Sequence, residues 1–176
     1  MSDEIESRIN ELSEEQFTFM QAAIEEAKKA AAIGEVPIGA VVVYQGEIIG
    51  RGHNLRETSQ DATTHAEILA IQEANRNRSS WRLADADLYV TLEPCPMCSG
   101  AMIQSRINNV YFGAYDQKGG TAGTLMNLLD DSRFNHQVSV TGGVMHEECK
   151  ALLQEFFIEL RKKRKNSSRR PKPESE

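Results

Sequence analysis

The sequence predicts an α/β protein, a three-layer α/β/α sandwich built on a five-stranded mixed sheet. Three observations carry this. Short β-branched runs alternate with longer segments of helical period along most of the chain, the first two runs are close enough to pair as a hairpin, and the gap before the last run is long enough for a parallel crossover. At 176 residues the chain suits one domain. It divides into an acidic N-terminal extension over residues 1–13, a domain over 14–160 and a basic tail over 161–176 that is expected to be disordered.

From Glu14 to Ile33 the apolar residues Phe17, Met20, Ile24 and Ala27 recur at three- and four-residue steps. That spacing makes an amphipathic helix with one buried stripe, stopped by Gly34 with Pro37 just beyond. Ile38 to Tyr44 and Glu47 to Gly50 are β-branched runs split by Gln45-Gly46, the pattern of two antiparallel strands and a tight turn. A second helix follows over His65 to Arg76, then a strand over Leu88 to Leu92. Cys95 to Gln104 suits a helix that opens directly after that strand, with Pro94 and Pro96 tolerated at its first turn. Val110 to Ala114 is the fourth strand, Asp116 to Gly123 a glycine-rich loop and Leu125 to Leu129 a short helix. Val138 to Val140 is the fifth strand. His146 to Leu160 closes the domain as a helix with Leu152, Leu153, Phe156, Phe157 and Leu160 on its apolar side.

Hydrophobic content of 40% and charged content of 26% are ordinary for a globular protein, and no apolar run nears the roughly 20 residues that span a bilayer. Met1-Ser2-Asp3-Glu4 lacks the basic-then-apolar pattern of a secretion signal, so the expected compartment is the cytoplasm. Cys95, Cys98 and Cys149 are an odd number of thiols, which argues against a disulfide framework and toward metal or redox chemistry. The net charge of −6 conceals an asymmetry: Arg161 to Glu176 holds eight of the 20 basic and two of the 26 acidic residues. Such a tail is either a phosphate-seeking arm or a solvated end.

The chemistry concentrates in two helix starts, His65-Ala66-Glu67 and Pro94-Cys95-Pro96-Met97-Cys98. Converging at one end of a sheet, they bring together one imidazole and two thiols, three ligands of the kind zinc takes. A fourth, open position is what separates a catalytic zinc from a structural one. The Cys-x-x-Cys spacing lets both sulfurs face one metal, and the helix N-terminus favours their thiolate forms. Glu67, two residues past His65, is placed to move protons in the same pocket without being a ligand. Two other readings stand beside this one. The cysteine pair alone suits a thioredoxin-like redox motif, and Cys149 as a fourth ligand makes a closed structural zinc site. His53, His136 and His146 read as structural, the Met20 and Phe17 stripe as core, and Phe156 and Phe157 as packing residues of which one can reach a ligand. The glycines from Gly119 to Gly123 lack the full spacing of a phosphate loop.

Taken together, His-x-Glu followed by Pro-Cys-x-x-Cys resembles the signature of zinc-dependent nucleobase deaminases. Further segments, Glu35-Val36-Pro37-Ile38-Gly39-Ala40, Gly52-His53-Asn54, Thr91-Leu92-Glu93-Pro94, Ser105-Arg106-Ile107 and Phe112-Gly113-Ala114, are similar to those of the bacterial tRNA-specific adenosine deaminases, from about Phe17 to Leu160. The resemblance implies a cytidine-deaminase-like fold, a homodimer and one zinc ion (Zn2+) per subunit. The implied reaction is hydrolytic deamination of adenosine to inosine at the wobble position (34) of an arginine tRNA. The anticodon stem-loop would be the partner, with neither a membrane nor DNA. By position, His65, Cys95 and Cys98 would hold zinc. Glu67 would take a proton from water and pass protons to ring nitrogen N1 and to the departing ammonia. Asn54 would hydrogen-bond the flipped base, Val36 would flank it, and Asp116 and Lys118 would touch neighbouring nucleotides. Tyr115 departs from the family pattern, and its ring is available either to stack on RNA or to pack. Deaminases of free guanine, cytosine or deoxycytidylate share the metal motif, and an RNA-binding zinc module without turnover is the reading from another class.

Overall fold

A computed structural model describes residues 2–169, with side chains described from residue 14 onward. Helix α1 (Ser2–Ala32) leads into the hairpin β1 (Gly39–Tyr44) and β2 (Glu47–His53), followed by a single turn of helix, α2 (Arg56–Ser59). Then come α3 (Ala66–Arg78), β3 (Asp87–Leu92), α4 (Pro96–Gln104), β4 (Asn109–Ala114), β5 (Ser139–Thr141) and α5 (His146–Ser168). The strand order is β2-β1-β3-β4-β5. β1 pairs antiparallel with β2 and β3, while β3–β4 and β4–β5 are parallel, so the expected crossover before the fifth strand is present.

Alternation along the central strands sorts the core into two layers, because successive side chains point to opposite faces. Ala40, Val42, Leu88, Val90, Val110 and Phe112 meet α3 and α4 through Ala66, Ala70, Met102 and Ile103. Val41, Val43 and Tyr89 face the other way, onto Met20, Ala23 and Ile24 of α1 and Cys149 of α5. Each large side chain buried here, Phe112 or Met20 for example, stabilises the fold by about 1.5–3 kcal/mol. On the first face α3 lies directly on β2, which only glycine permits. A Cβ on Gly52 would stand 2.3 Å from the Ala66 carbonyl oxygen, and one on Gly50 2.1 Å from that of Ala70. The alanines of α3 and the glycines of β2 are thus two halves of one close contact, and that contact sets the height of the helix start above the sheet.

Five expectations need correction. The first helix begins at Ser2 rather than Glu14, so residues 2–13 continue α1. Its buried stripe is Met20, Ala23, Ile24, Ala27 and Ala30, whereas Phe17 is 55% exposed because it lies about 80° around the helix from the stripe's centre. Leu125 to Leu129 is not helical. Ala122 bridges Asn127 across a turn, Gly123 N–H and Leu128 N–H donate to Met126 and Thr121 carbonyls, and those amides are therefore lost to a helical ladder. The tail is not disordered from Arg161, since α5 runs on to Ser168; residues 170–176 lie outside the described residues. The strand expected over Glu47 to Gly50 extends to His53, which brings Asn54 beside the start of β1.

Candidate active site

The site forms where β3 and β4 end and α3 and α4 begin, the edge of an α/β sheet at which ligands commonly bind. His65 is the N-cap of α3 and Cys95 the N-cap of α4, with Pro96 at the first helical position. Neither side chain caps its helix. A capping Ser or Asp is worth about 0.5–2 kcal/mol, which both helices forgo. The side chains turn instead toward each other: His65 Nδ1 is 3.6 Å from Cys95 Sγ and 3.5 Å from Cys98 Sγ. Tetrahedral zinc with Zn–S near 2.3 Å and Zn–N near 2.0–2.1 Å requires N···S edges of about 3.5 Å. The donor set therefore fits zinc in chemistry and in spacing, and it leaves one corner to a non-protein ligand.

These are the one group of three or more metal-type ligands among the described residues. Cys149 packs on the opposite face of the sheet from Cys98, among Met20, Tyr89 and Ala114, so it is no fourth ligand. The imidazole set against both sulfurs likewise disfavours a bare redox pair. Cys95 and Cys98 share one negative charge unevenly. The Cys98 thiol donating to it, against the opposing effect of burial, pulls Cys95 down to about 4 with help from His65. Cys98 is pushed up, foremost by that neighbouring sulfur and then by its own burial. His65 is raised, by its contact with Cys95 first, against burial. A divalent cation between them would hold both sulfurs as thiolates.

A cleft of about 410 Å³ opens beside the cluster, lined by His65, Glu67, Cys95, Asn54, Val36 and Ile38 on one side. Glu67 is 4% exposed, and burial raises its pKa, outweighing the Cys98 thiol that lowers it. Asn54 is 6% exposed and fixed at both ends of its amide: Nδ2 donates to the Val36 carbonyl at 3.3 Å and Oδ1 accepts from Arg56 N–H at 3.1 Å. One amide hydrogen and one oxygen lone pair remain for a ligand. Asp116 and Lys118 also border the cleft. Asp116 Oδ1 accepts from the amides of Lys118 at 3.0 Å and Gly119 at 3.1 Å, which commits that oxygen to shaping its own loop, while Lys118 is exposed. The structure thus brings seven of the eight sequence-predicted site residues to the lining of one cleft, and the eighth, Cys98, lies buried behind it against His65.

Four further residues shape this region; Phe157 is the one of the phenylalanine pair that reaches the cleft, and the other three went unassigned in the sequence. Arg56 and Phe157 also line the cleft. Arg56 opens the short helix α2, which Glu35 secures by accepting from the Thr58 amide at 2.5 Å and its hydroxyl at 2.7 Å. Glu93 is the fourth. Its buried carboxylate accepts from the amides of Asp116, Ala122 and Thr124 at 3.3, 3.1 and 3.1 Å and from the Thr124 hydroxyl. Gly120 makes this possible, for a Cβ there would lie 2.3 Å from Glu93 Oε2. The glycine-rich loop is accordingly wrapped around a carboxylate and does not cradle a phosphate. A charged residue just past a strand end, two positions before Cys95, was the available signal. Two of the three histidines expected to be structural are held by hydrogen bonds, His53 Nδ1 contacting Glu26 at 3.2 Å and His136 Nε2 the Ile107 carbonyl at 2.7 Å, whereas buried His146 Nδ1 has no hydrogen-bond partner among the described residues.

A family model of MafB19-like deaminases matches residues 14–161. The chain is 61% identical to a tRNA-specific adenosine deaminase of Bacillus subtilis over 84% of this chain and 91% of that one. It is 51% identical to a tRNA-specific adenosine deaminase of Streptococcus pyogenes over 88% and 97%. Among solved structures, one from work on A-to-I editing by tRNA deaminases at the wobble position of transfer RNA superposes with a TM-score of 0.74 at 40% identity. It covers 77% of this chain and 99% of that one.

Proposed function

The chain belongs to the tRNA-specific adenosine deaminases, and from that membership we propose that it converts adenosine to inosine at the wobble position (34) of the anticodon of an arginine tRNA. The observation that carries this reading is the meeting of His65, Cys95 and Cys98 at zinc-ligand spacing with Glu67 buried in the same cleft. His65, Cys95 and Cys98 would hold one zinc ion per subunit. When bound, zinc supplies the Lewis acidity that makes water a nucleophile near neutral pH.

The chain's own residues do the rest. Glu67 accepts a proton from the attacking water and delivers it to N1 of adenine, which makes C6 electrophilic. A second proton passes through the same carboxylate to the exocyclic amine, so that ammonia leaves and inosine remains. The raised pKa that burial gives Glu67 suits a group that must hold and release protons. Asn54 presents its remaining amide hydrogen and lone pair to the base, and Val36 flanks the ring with apolar surface. Asp116 and Lys118 meet the adjoining nucleotides. A loop base is easily splayed into such a cleft, because little stacking is lost.

We assign the protein to the cytoplasm, with no membrane or DNA partner; among the described residues no helix is long and apolar enough to cross a membrane. A homodimer is supported by Leu125 and Met126, each 54% exposed on the loop that Glu93 anchors. The test is inosine formation by the zinc-loaded protein on an arginine tRNA transcript, beside ammonia release from free adenosine, guanine and cytidine. Reaction on the free bases alone would make it a nucleobase deaminase instead. Glu67→Ala should keep zinc and RNA binding and lose about 10²–10⁴ in rate; inosine formed at the wild-type rate would refute the proton role, and binding without turnover by the wild type would make the chain an RNA-binding module.

A further inference from the structure

Four carboxylates are buried among the described residues: Glu26, Glu35, Glu67 and Glu93. Glu26 meets Lys29 and His53, Glu93 anchors the glycine-rich loop, and Glu67 stands in the cleft beside His65 and Cys95. Glu35, 2% exposed, does none of these things. It is in no ion pair among the described residues and does not line the cleft. A buried carboxylate without a cation costs stability unless hydrogen bonds offset the loss of water. Those that Glu35 accepts both come from Thr58, the amide at 2.5 Å and the hydroxyl at 2.7 Å, and both end on one oxygen, Oε1. Thr58 belongs to α2, a four-residue helix that buries no side chain and has no capping side chain at Leu55. So short a helix has neither the length nor the core face to hold itself in place.

These bonds close a ring of hydrogen bonds around Asn54. On one side the backbone of Glu35 is fixed to the end of α1: Gly34, at φ +83°, donates to the Ala31 carbonyl at 3.1 Å, and Glu35 N–H to that of Ala30 at 3.0 Å. The next residue, Val36, offers its carbonyl to Asn54 Nδ2, Asn54 Oδ1 takes the Arg56 amide, and two residues further Thr58 returns to Glu35. Two segments, residues 35–36 and 54–58, are thus joined at two points, by the Asn54 carboxamide and by the Glu35 carboxylate. We propose that Glu35 is a positioning residue for the target base. By holding α2 against the end of α1, it keeps the Arg56 amide where it fixes the Asn54 carboxamide, whose free hydrogen and lone pair then face the base in one orientation. Released from Glu35, α2 drifts, Arg56 N–H leaves Oδ1, and the carboxamide swings about its remaining bond to Val36. The inference rests on the RNA-deaminase reading above, in which Asn54 meets the base.

The test is a double-mutant cycle on kcat/KM for inosine formation in an anticodon stem-loop RNA. Asn54→Ala and Glu35→Ala should each lower it roughly tenfold, and together they should cost less than threefold more than either alone, because the second change has nothing left to orient. A purely structural Glu35 would instead multiply the two losses to about a hundredfold, and that result overturns the proposal. Glu35→Gln offers one carboxamide oxygen in place of Oε1 and should recover most of what Glu35→Ala loses; no recovery counts against the clamp. Thr58→Val removes the hydroxyl link alone and decides the matter where Glu35→Ala does not fold: about a threefold loss, absent in the Asn54→Ala background, supports the ring, and no loss in either background overturns it. Hydrogen exchange without RNA gives a second readout. The Thr58 amide and the Asn54 side-chain amide should exchange at least tenfold faster in Glu35→Ala, or measurably faster in Thr58→Val, than in the wild type, and unchanged protection overturns the clamp. Absence of inosine from the wild type overturns the deaminase reading instead, and the exchange comparison still decides the clamp.

Discussion

Replacing Gly52 by alanine should damage the metal centre without touching a ligand. The added Cβ would stand 2.3 Å from the Ala66 carbonyl oxygen and 2.8 Å from the Ala70 amide nitrogen, both backbone atoms of α3. Real Cβ contacts keep beyond 3.0 Å, so the helix must retreat by at least about 0.7 Å. His65 and Glu67 open that helix and travel with it. Zinc ligation tolerates about 0.2 Å, so the displacement is some three times what the site can absorb. Overpacking of this kind costs about 1–3 kcal/mol, which lowers Tm by roughly 2 to 12 °C for a domain of this size. Zinc affinity, read by competition with a chelator, should fall at least tenfold, and the deamination rate about a hundredfold, as misplacement by close to 1 Å commonly does. The matched control is Gly100→Ala in α4, where a Cβ meets nothing within 4 Å. Relief of glycine's helix penalty should stabilise that variant by roughly 0.5–1 kcal/mol. A Gly52→Ala protein with wild-type Tm and chelator competition would refute the claim that the α3–β2 contact sets the metal geometry.

Cys149→Ser should still bind one zinc per chain by metal analysis, since its side chain lies on the opposite face of the sheet. Cys149 itself, 1% exposed and pushed up to about 12 by burial, should resist iodoacetamide at pH 8 until the protein is unfolded; fast native alkylation would contradict its placement. Glu26 is held below its ordinary value of 4.5: burial opposes this, and the Lys29 and His53 contacts outweigh it. A depressed folded value stabilises above the unfolded range and loses that stabilisation as pH falls through the folded value. Glu26→Gln should therefore flatten the acid limb of a Tm-against-pH curve, and an identical limb in both proteins would dismiss the contact as a contributor.

The sheet, its hairpin and the helices that open at His65 and Cys95 were legible because alternation and helical period are local properties of the chain. The cluster of His65, Cys95 and Cys98 was legible for a related reason, since chemistry and spacing sit together in two short segments. What escaped depends on contacts distant in sequence. Helix α2 lacks a capping side chain at Leu55 and exists because Glu35 receives Thr58. Leu125 to Leu129 has helical composition, yet its neighbouring amides are taken by Glu93 and by a local bridge. Which of Phe156 and Phe157 leaves the core also escaped: the rotation of α5 about its axis puts Phe157 in the cleft, 43% exposed, and period alone does not report that rotation.

Glu93 ties the substrate-side loop to the strand that leads into Cys95, through three amides and a hydroxyl. A loop fastened in this way has little freedom to close over an arriving nucleic acid, so adaptation belongs to the RNA. Selectivity then follows from how readily a candidate loop opens: anticodon arms already unstacked near the target will react fastest, and stiffened ones will be discriminated against before any base is read.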